Sequence, residues 1–205
     1  MRHPRTEGSP LVWPPQVYKR LYERLDCVVL GGLEVDSQGN VNVAAKSEAL
    51  AYVGPGGFVD LSNIARLVIF CVAYEARAKL EVADGRLHVR KAGKPKFLPS
   101  VQEISFSGQA ALAAGKRVIY VTHLGAFELT PGGLQLFCVF PGVNIRKHII
   151  EATECKIVLP VGGCSSVEVV QEPILSGSDP ADLLALLEKE LRAAPPQGLS
   201  CLSRL

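Results

Sequence analysis

The chain has 205 residues, with 22 basic against 20 acidic side chains and a formal charge of +2. That near balance excludes a general polyanion binder, which needs clustered excess Lys and Arg. A content of 48% apolar and 20% charged residues excludes a disordered chain. A chain of this length buries roughly 70% of its unfolded surface, enough for a real core. The longest apolar run, 67–74, falls well short of the roughly 20 residues a spanning helix needs, so no membrane segment is expected. Residues 1–10 carry no apolar stretch of the secretory type, and Glu7 with few serines speaks against a transit peptide.

Residues 1–15 are proline-rich and read as a loose arm. Over 16–25, Val17, Tyr18, Leu21, Tyr22 and Leu25 share one face of a short helix, with Pro15 near its start. Strands then dominate. Residues 27–30 and 41–43 are short apolar or alternating runs, separated by the turn cluster Asp36-Ser37-Gln38-Gly39. Residues 60–65 make one helical turn capped by Asp60 or Ser62. They lead into 67–72, a continuous apolar run suited to a strand buried on both faces. Residues 79–82 and 87–90 flank Asp84-Gly85, a hairpin turn signal.

Residues 103–107 alternate as Glu-Ile-Ser-Phe-Ser, the pattern of a strand with one buried face. Three more strands follow at 117–122, 126–129 and 134–140, and Pro131-Gly132-Gly133 closes the last pair. Residues 144–153 read as a helix, capped by Asn144, with Ile145, Ile149 and Ala152 as its apolar stripe. Residues 156–159 form another strand, and 164–178 a looser linker. Asp179-Pro180 starts a C-terminal helix with Leu183, Leu184, Leu187 and Leu191 on its apolar face, ended by Pro195-Pro196. The fold class expected is α/β, a mixed sheet covered by helices. The expected organisation is an arm and helix over 1–25, a domain over 26–162, and a linker, helix and tail over 163–205.

The six cysteines form no C-x-x-C, and no His stands at ligand spacing beside them, so no metal site is expected. Cys71 and Cys138 lie inside apolar runs, where a thiol packs as a small hydrophobe. A reducing compartment follows. Gly54-Pro55-Gly56-Gly57 lets backbone approach a ligand and frees N–H groups for an anion or a developing oxyanion; it is also a plain turn. Asn40 and Asn42 lie two residues apart on one strand face, able to bind a ligand or to brace a turn. The basic run from Arg86 to Lys96 reads as a solvated face, with no aromatic interleaving for nucleic acid. His123 and Glu128 could form a His–carboxylate pair. His148 belongs to an exposed helix face, and neither histidine is assigned catalysis. Ser203-Arg204-Leu205 is close to the S-K-L peroxisomal address.

Four separate blocks carry a resemblance: GLEVDSQGNVNV at 32–43, GPGGFVDLSNIARLVIFC at 54–71, LEVADGRLHVRKAGKPKFLPSVQEISFSG at 80–108 and RVIYVTHLGAFELTPGGLQLFCVFPGVNI at 117–145. In these blocks the chain resembles the C-terminal half of family I CoA-transferases, of the acetate/propionate (acyl-CoA:carboxylate) type. The resemblance implies one α/β half of a two-half transferase of acyl-CoA metabolism. It also implies a glutamate that attacks an acyl-CoA thioester and exchanges CoA by a ping-pong route through a glutamyl-CoA thioester. The residues matching the family's oxyanion loop are Gly54, Gly56 and Gly57, and Asn40 with Asn42 match its N-V-N element.

Two departures follow. The family's nucleophile sits in a Glu-x-Gly-rich motif upstream of G-N-V-N-V, and here Glu7 and Glu23, the glutamates of residues 1–30, stand in no such motif. Val72-Ala73-Tyr74-Glu75-Ala76-Arg77 also replaces a small glycine-containing turn. No catalytic residue is therefore assigned, and the chain alone is expected to be inactive. It is read as a partial or split CoA-transferase, or as a non-catalytic remnant that binds CoA or pairs with a complete transferase. The expected partners are acyl-CoA, a small carboxylate and a second transferase half or homo-oligomer, without nucleic acid or membrane. The expected location is cytoplasmic, with the peroxisome as the alternative.

Overall fold

Three apolar runs rich in β-branched residues build the middle of the molecule. In the computed structural model, which describes residues 14–23, 25–47, 50–53 and 55–170, they are the strands Cys27–Gly31, Leu67–Cys71 and Arg117–Val121. They lie parallel, with Val28, Val68 and Val118 in one rung of the ladder. Gly125–Thr130 and Gly133–Val139 extend the sheet as an antiparallel pair. Ile157–Val158 and Glu168–Val169 both add parallel to Gly133–Val139. The sheet is mixed, and the fold is α/β.

Alternation along each strand feeds two apolar layers. Val68, Phe70, Val118, Tyr120, Phe127 and Leu129 face the larger core, while Ile69, Ile119 and Ala126 face a smaller one. A bulge between Ala126 and Phe127 shifts the register against Gly133–Val139. The larger core is aromatic. Phe70 lies 5.6, 4.9 and 5.5 Å from the ring centres of Phe58, Phe106 and Tyr120. Tyr74, Phe97 and Phe127 form a second cluster, with ring centres 4.7 to 5.7 Å apart.

Glu34–Asp36 and Val41–Asn42 pair antiparallel beside the main sheet, joined by the expected turn at 36–39. Gly39 has φ of +75°, and a Cβ there would sit 2.5 Å from Leu129 Cδ1 and 2.7 Å from the Tyr120 hydroxyl. Only glycine fits that approach. The buried Asp36 carboxylate holds the turn. Its Oδ1 accepts the N–H groups of Gln38 and Asn40, both at 3.0 Å. Its Oδ2 accepts Asn40 Nδ2 at 3.0 Å and Val101 N–H at 3.3 Å.

Several expectations meet corrections. The helix expected at 16–25 is Pro14–Glu23, and Val17 and Tyr22 on its apolar face are exposed. The turn at 60–65 is the helix Phe58–Ile64, which begins at Gly57; neither Asp60 nor Ser62 caps it. Residues 103–107 form no strand. Only Phe106 bridges to Val41, and Ser107 instead caps the unforeseen helix Gly108–Ala113 through Ala110 N–H at 3.3 Å. The expected helix at 144–153 is a shorter π-type turn, Ile145–Ile150, capped by Asn144 as foreseen. Cys71 is exposed at its strand end; Cys138 is buried in the smaller core as foreseen, but its sulfur is disulfide-bonded rather than a free thiol. The Asp84-Gly85 hairpin forms, with both residues at positive φ as its turn requires. Beyond Gly162 the sheet gains Glu168–Val169. The arm, the C-terminal helix and the Ser203-Arg204-Leu205 tail lie outside the described residues.

Replacing Asp36 by Ala leaves four buried or half-buried donors without their acceptor. The expected loss is about 2–4 kcal/mol of folding stability, read as a lower urea midpoint. A midpoint equal to wild type would contradict this account of the turn.

Candidate functional site

The direction of one short helix sets where the Gly56-Gly57 loop lies. Lys116 stands at the start of the Arg117–Val121 strand. Its ammonium donates to the carbonyls of Ser62 (3.1 Å), Asn63 (2.5 Å) and Ala65 (2.7 Å). These are orphan acceptors at the C-terminus of Phe58–Ile64, and a cation there is favourable. Partial burial lowers the Lys116 pKa from its ordinary value. The helix C-terminus thus lies at the amino edge of the parallel strands. Its other end, Gly56-Gly57, points to their carboxyl edge, where open α/β sheets place ligands.

Gly56 has φ of +53°, and nothing lies within 4 Å of where its Cβ would be. The loop is closed by Phe58 N–H on Pro55 O and Leu61 N–H on Gly57 O, both at 3.0 Å. Among the described residues none accepts the N–H groups of Gly56 or Gly57. Gly54 lies outside the described residues.

Asn40 and Asn42 are both buried. Asn40 Nδ2 donates to Asp36, and its Oδ1 accepts Gly108 N–H at 3.0 Å. Asn42 Nδ2 donates to Glu34 at 3.3 Å, and its Oδ1 accepts Ala44 N–H at 2.9 Å. Both amides are spent at both ends on the chain itself, so their geometry is that of braces. They are not brought against Gly56 and Gly57 by any of these bonds.

His123 does not pair with Glu128. That carboxylate instead takes the Arg117 guanidinium at 2.8 Å. His123 Nε2 is buried without a hydrogen-bond partner among the described residues. Burial lowers the His123 pKa, opposed by the Glu75 carboxylate. His148 is half-buried rather than exposed, and burial first, then Lys147, lowers its pKa, again opposed by Glu75.

Sequence reasoning missed three residues here. Tyr74 is fully buried, and its hydroxyl donates to Ile149 O at 2.8 Å. Glu75 is buried and accepts Gly93 N–H at 3.0 Å. Both sit in the segment read only as bulky and charged. Lys116 carried no signal beyond its place before a strand. Elsewhere Ser37 donates to the buried Cys155 thiol at 3.5 Å, and burial pushes that thiol up to about 11. No helix among the described residues is long and apolar enough to cross a membrane.

No family model matches the chain. Over 129 residues, 62% of this chain, it is 39% identical to acetate CoA-transferase YdiF of Escherichia coli O157:H7. Over 131 residues it is 31% identical to caffeate CoA-transferase of Acetobacterium woodii. The chain spans only 24% and 25% of the length of these curated relatives. The crystal structure of the YdiF apoenzyme superposes with a TM-score of 0.72 and 32% identity, over 80% of this chain and 31% of that one. YdiF in a thioester complex with CoA gives 0.68 and 34%, over 75% of this chain and 29% of that one. Glutaconate coenzyme A-transferase from Acidaminococcus fermentans shares the fold, with a TM-score of 0.57 and 16% identity. The fold is that of the CoA-transferases. Within that class, the chain is similar to part of a family I CoA-transferase.

Two outcomes follow from the local geometry. Lys116→Met removes a charged cap from three carbonyls and is expected to cost about 1–2 kcal/mol, seen as a lower urea midpoint; an unchanged midpoint would contradict the cap. The second concerns pH. The folded-state His123 pKa lies below its ordinary 6.5, so the unfolded chain binds a proton that the folded chain resists. The stability at stake is present above about 6.5 and lost as pH falls through the folded value. His123→Gln should therefore flatten part of the fall in stability between about pH 7 and pH 5. An acid slope identical to wild type would count against a buried neutral imidazole.

Proposed function

We propose that the chain supplies the oxyanion and CoA-side glycine loop, Gly54, Gly56 and Gly57, of a partial or split acyl-CoA:carboxylate CoA-transferase. The observation that carries this reading is Gly56. It holds a left-handed conformation, faces open space, and lies at the carboxyl edge of the parallel strands. In acyl transfer to a carboxylate, negative charge develops on the thioester oxygen. Backbone N–H groups placed beforehand stabilise it without reorganisation, an effect typically worth about 3–4 kcal/mol per donor. Asn40 and Asn42, the other residues of the proposed site, brace the Glu34–Asn42 hairpin.

The nucleophilic glutamate comes, on this proposal, from a second transferase half. Two features support that. Residues 1–30 hold no Glu-x-Gly-rich motif, and the chain spans about a quarter of its curated relatives. The outermost parallel strand, Cys27–Gly31, also shows alternate residues to solvent, with Val29 60% exposed. Parallel strands are normally covered on both faces, so this edge fits a partner surface. The substrates proposed are a short-chain acyl-CoA and a small carboxylate, in the cytoplasm. The second reading is a CoA-transferase-like remnant that binds CoA or pairs with a complete transferase. The absent glutamate motif favours it equally.

The purified chain, given acetyl-CoA and propionate, is expected to show no transfer while still binding CoA saturably. Gly56→Val, strained at positive φ, should weaken that binding at least about fivefold, with circular dichroism as the folding control. Absence of CoA binding in the wild type would overturn the glycine-loop reading and leave, of the second, only pairing with a complete transferase. Turnover by the chain alone would overturn the need for a second half. Restored transfer on adding a complementary half decides for the split enzyme over the remnant.

A further inference from the structure

A cleft of about 500 Å³ opens between the far end of the basic hairpin and the helical turn after Asn144. Burial distinguishes its floor from its rim. Glu75 and Leu124 are buried, whereas Lys91 and Lys147 are exposed. Glu75 follows the Leu67–Cys71 strand and Leu124 follows Arg117–Val121, so the floor lies at the carboxyl edge of the parallel strands. The cleft shares no lining residue with the Gly56-Gly57 loop.

Most charges at the cleft are already matched. Arg90 binds Glu81 at 2.6 Å, and Glu151 binds Arg146 at 3.0 Å. Lys91 and Lys147 have no ion pair among the described residues. They come from elements far apart in sequence and bring two positive charges to an opening that Glu75 and Glu151 also line; Glu151 is already taken by Arg146. The Glu75 carboxylate lies deeper, with one oxygen held by Gly93 N–H. His148 adds a fixed donor. Its Nδ1 accepts Asn144 N–H at 3.1 Å, so the ring proton of the neutral imidazole sits on Nε2. Burial lowers the His148 pKa and keeps the ring in that neutral form near pH 7.

We propose that this cleft binds a phosphoryl group between Lys91 and Lys147, with His148 Nε2–H as a third donor. Two ammonium groups match the charge of a phosphate dianion, and lysine binds phosphate as a point charge without needing a planar partner. The volume admits a small organic phosphate rather than the anion alone. The phosphoryl group has two sources, a free phosphate compound or the phosphorylated part of coenzyme A. The second source rests on the function proposed above; the first does not.

The test titrates the isotope-labelled full chain with inorganic phosphate at low salt, followed by amide shifts. Saturable shifts are expected at Lys91, Lys147 and His148, with a Kd in the millimolar range. The double variant Lys91→Met, Lys147→Met should raise that Kd at least tenfold. Both side chains are exposed, so its thermal midpoint should stay at the wild-type value. His148→Gln should raise the Kd about threefold. Shifts that do not saturate, or a double variant that binds as wild type does, would overturn the proposal. CoA titrated in parallel separates the sources. Loss of CoA affinity in the double variant assigns the site to coenzyme A, while unchanged CoA affinity with weakened phosphate binding assigns it to a free phosphate compound. Gly56→Val should leave the inorganic phosphate Kd unchanged, so failure of the glycine-loop reading and failure of this cleft are read separately.

Discussion

The Asp36 carboxylate is buried, and a buried charge is tolerated only when its hydrogen bonds are complete. Here backbone N–H groups of Gln38, Asn40 and Val101 and the Asn40 side-chain amide complete them. One group thereby joins three parts of the chain. It closes the turn after Glu34–Asp36, draws in the segment at Val101, and orients Asn40, whose Oδ1 receives Gly108 N–H at the head of the next helix. Tyr120 adds the link to the central sheet, donating to Gly39 O at 2.6 Å in full burial. In a low-dielectric interior such a network is strong when satisfied and costly when one member is lost. It sets the side hairpin against the sheet.

That edge is where the chemistry-bearing groups collect. Strand direction brings the segments after Gly31, Cys71 and Val121 to one side of the sheet. The Lys116 cap anchors Phe58–Ile64 at the opposite side, so Gly56 and Gly57 are delivered to the edge from a rigid element. Glu75 arrives by a different route. Tyr74 packs against both Phe97 and Phe127 and is tied to Ile149 O, and its neighbour Glu75 lines the basic cleft. The glycine loop and the cleft therefore share a scaffold without sharing residues.

Much of this was legible in the sequence because its causes are local. The unbroken apolar run at 67–71 announces a strand covered on both faces, Asp84-Gly85 announces a hairpin, and Asn144 announces a cap. Where causes are distant, the sequence misleads. Glu-Ile-Ser-Phe-Ser at 103–107 has the alternation of a strand, yet its pairing stops at an isolated bridge from Phe106 to Val41 with Ser105 N–H also on Val41 O, and Ser107 is drawn off to cap a helix. The burial of Tyr74 and Glu75 depends on Phe97, Phe127 and Gly93, none of them adjacent in sequence. Asn40 and Asn42 were open to two readings, and only their partners in space display them as braces. The paired blocks carry the resemblance to CoA-transferases, which similarity in sequence and fold then supports over part of the chain.

The account rests on the glycine loop as the place where an acyl-CoA thioester meets this chain. The direct measurement is the amide spectrum of the labelled chain during titration with acetyl-CoA. The account predicts saturable shifts of the Gly56 and Gly57 amides, with the Asn40 and Asn42 side-chain amides unmoved because their bonds are internal. Shifts at Asn40 and Asn42 with Gly56 and Gly57 silent, or no saturable shift at all, would contradict it.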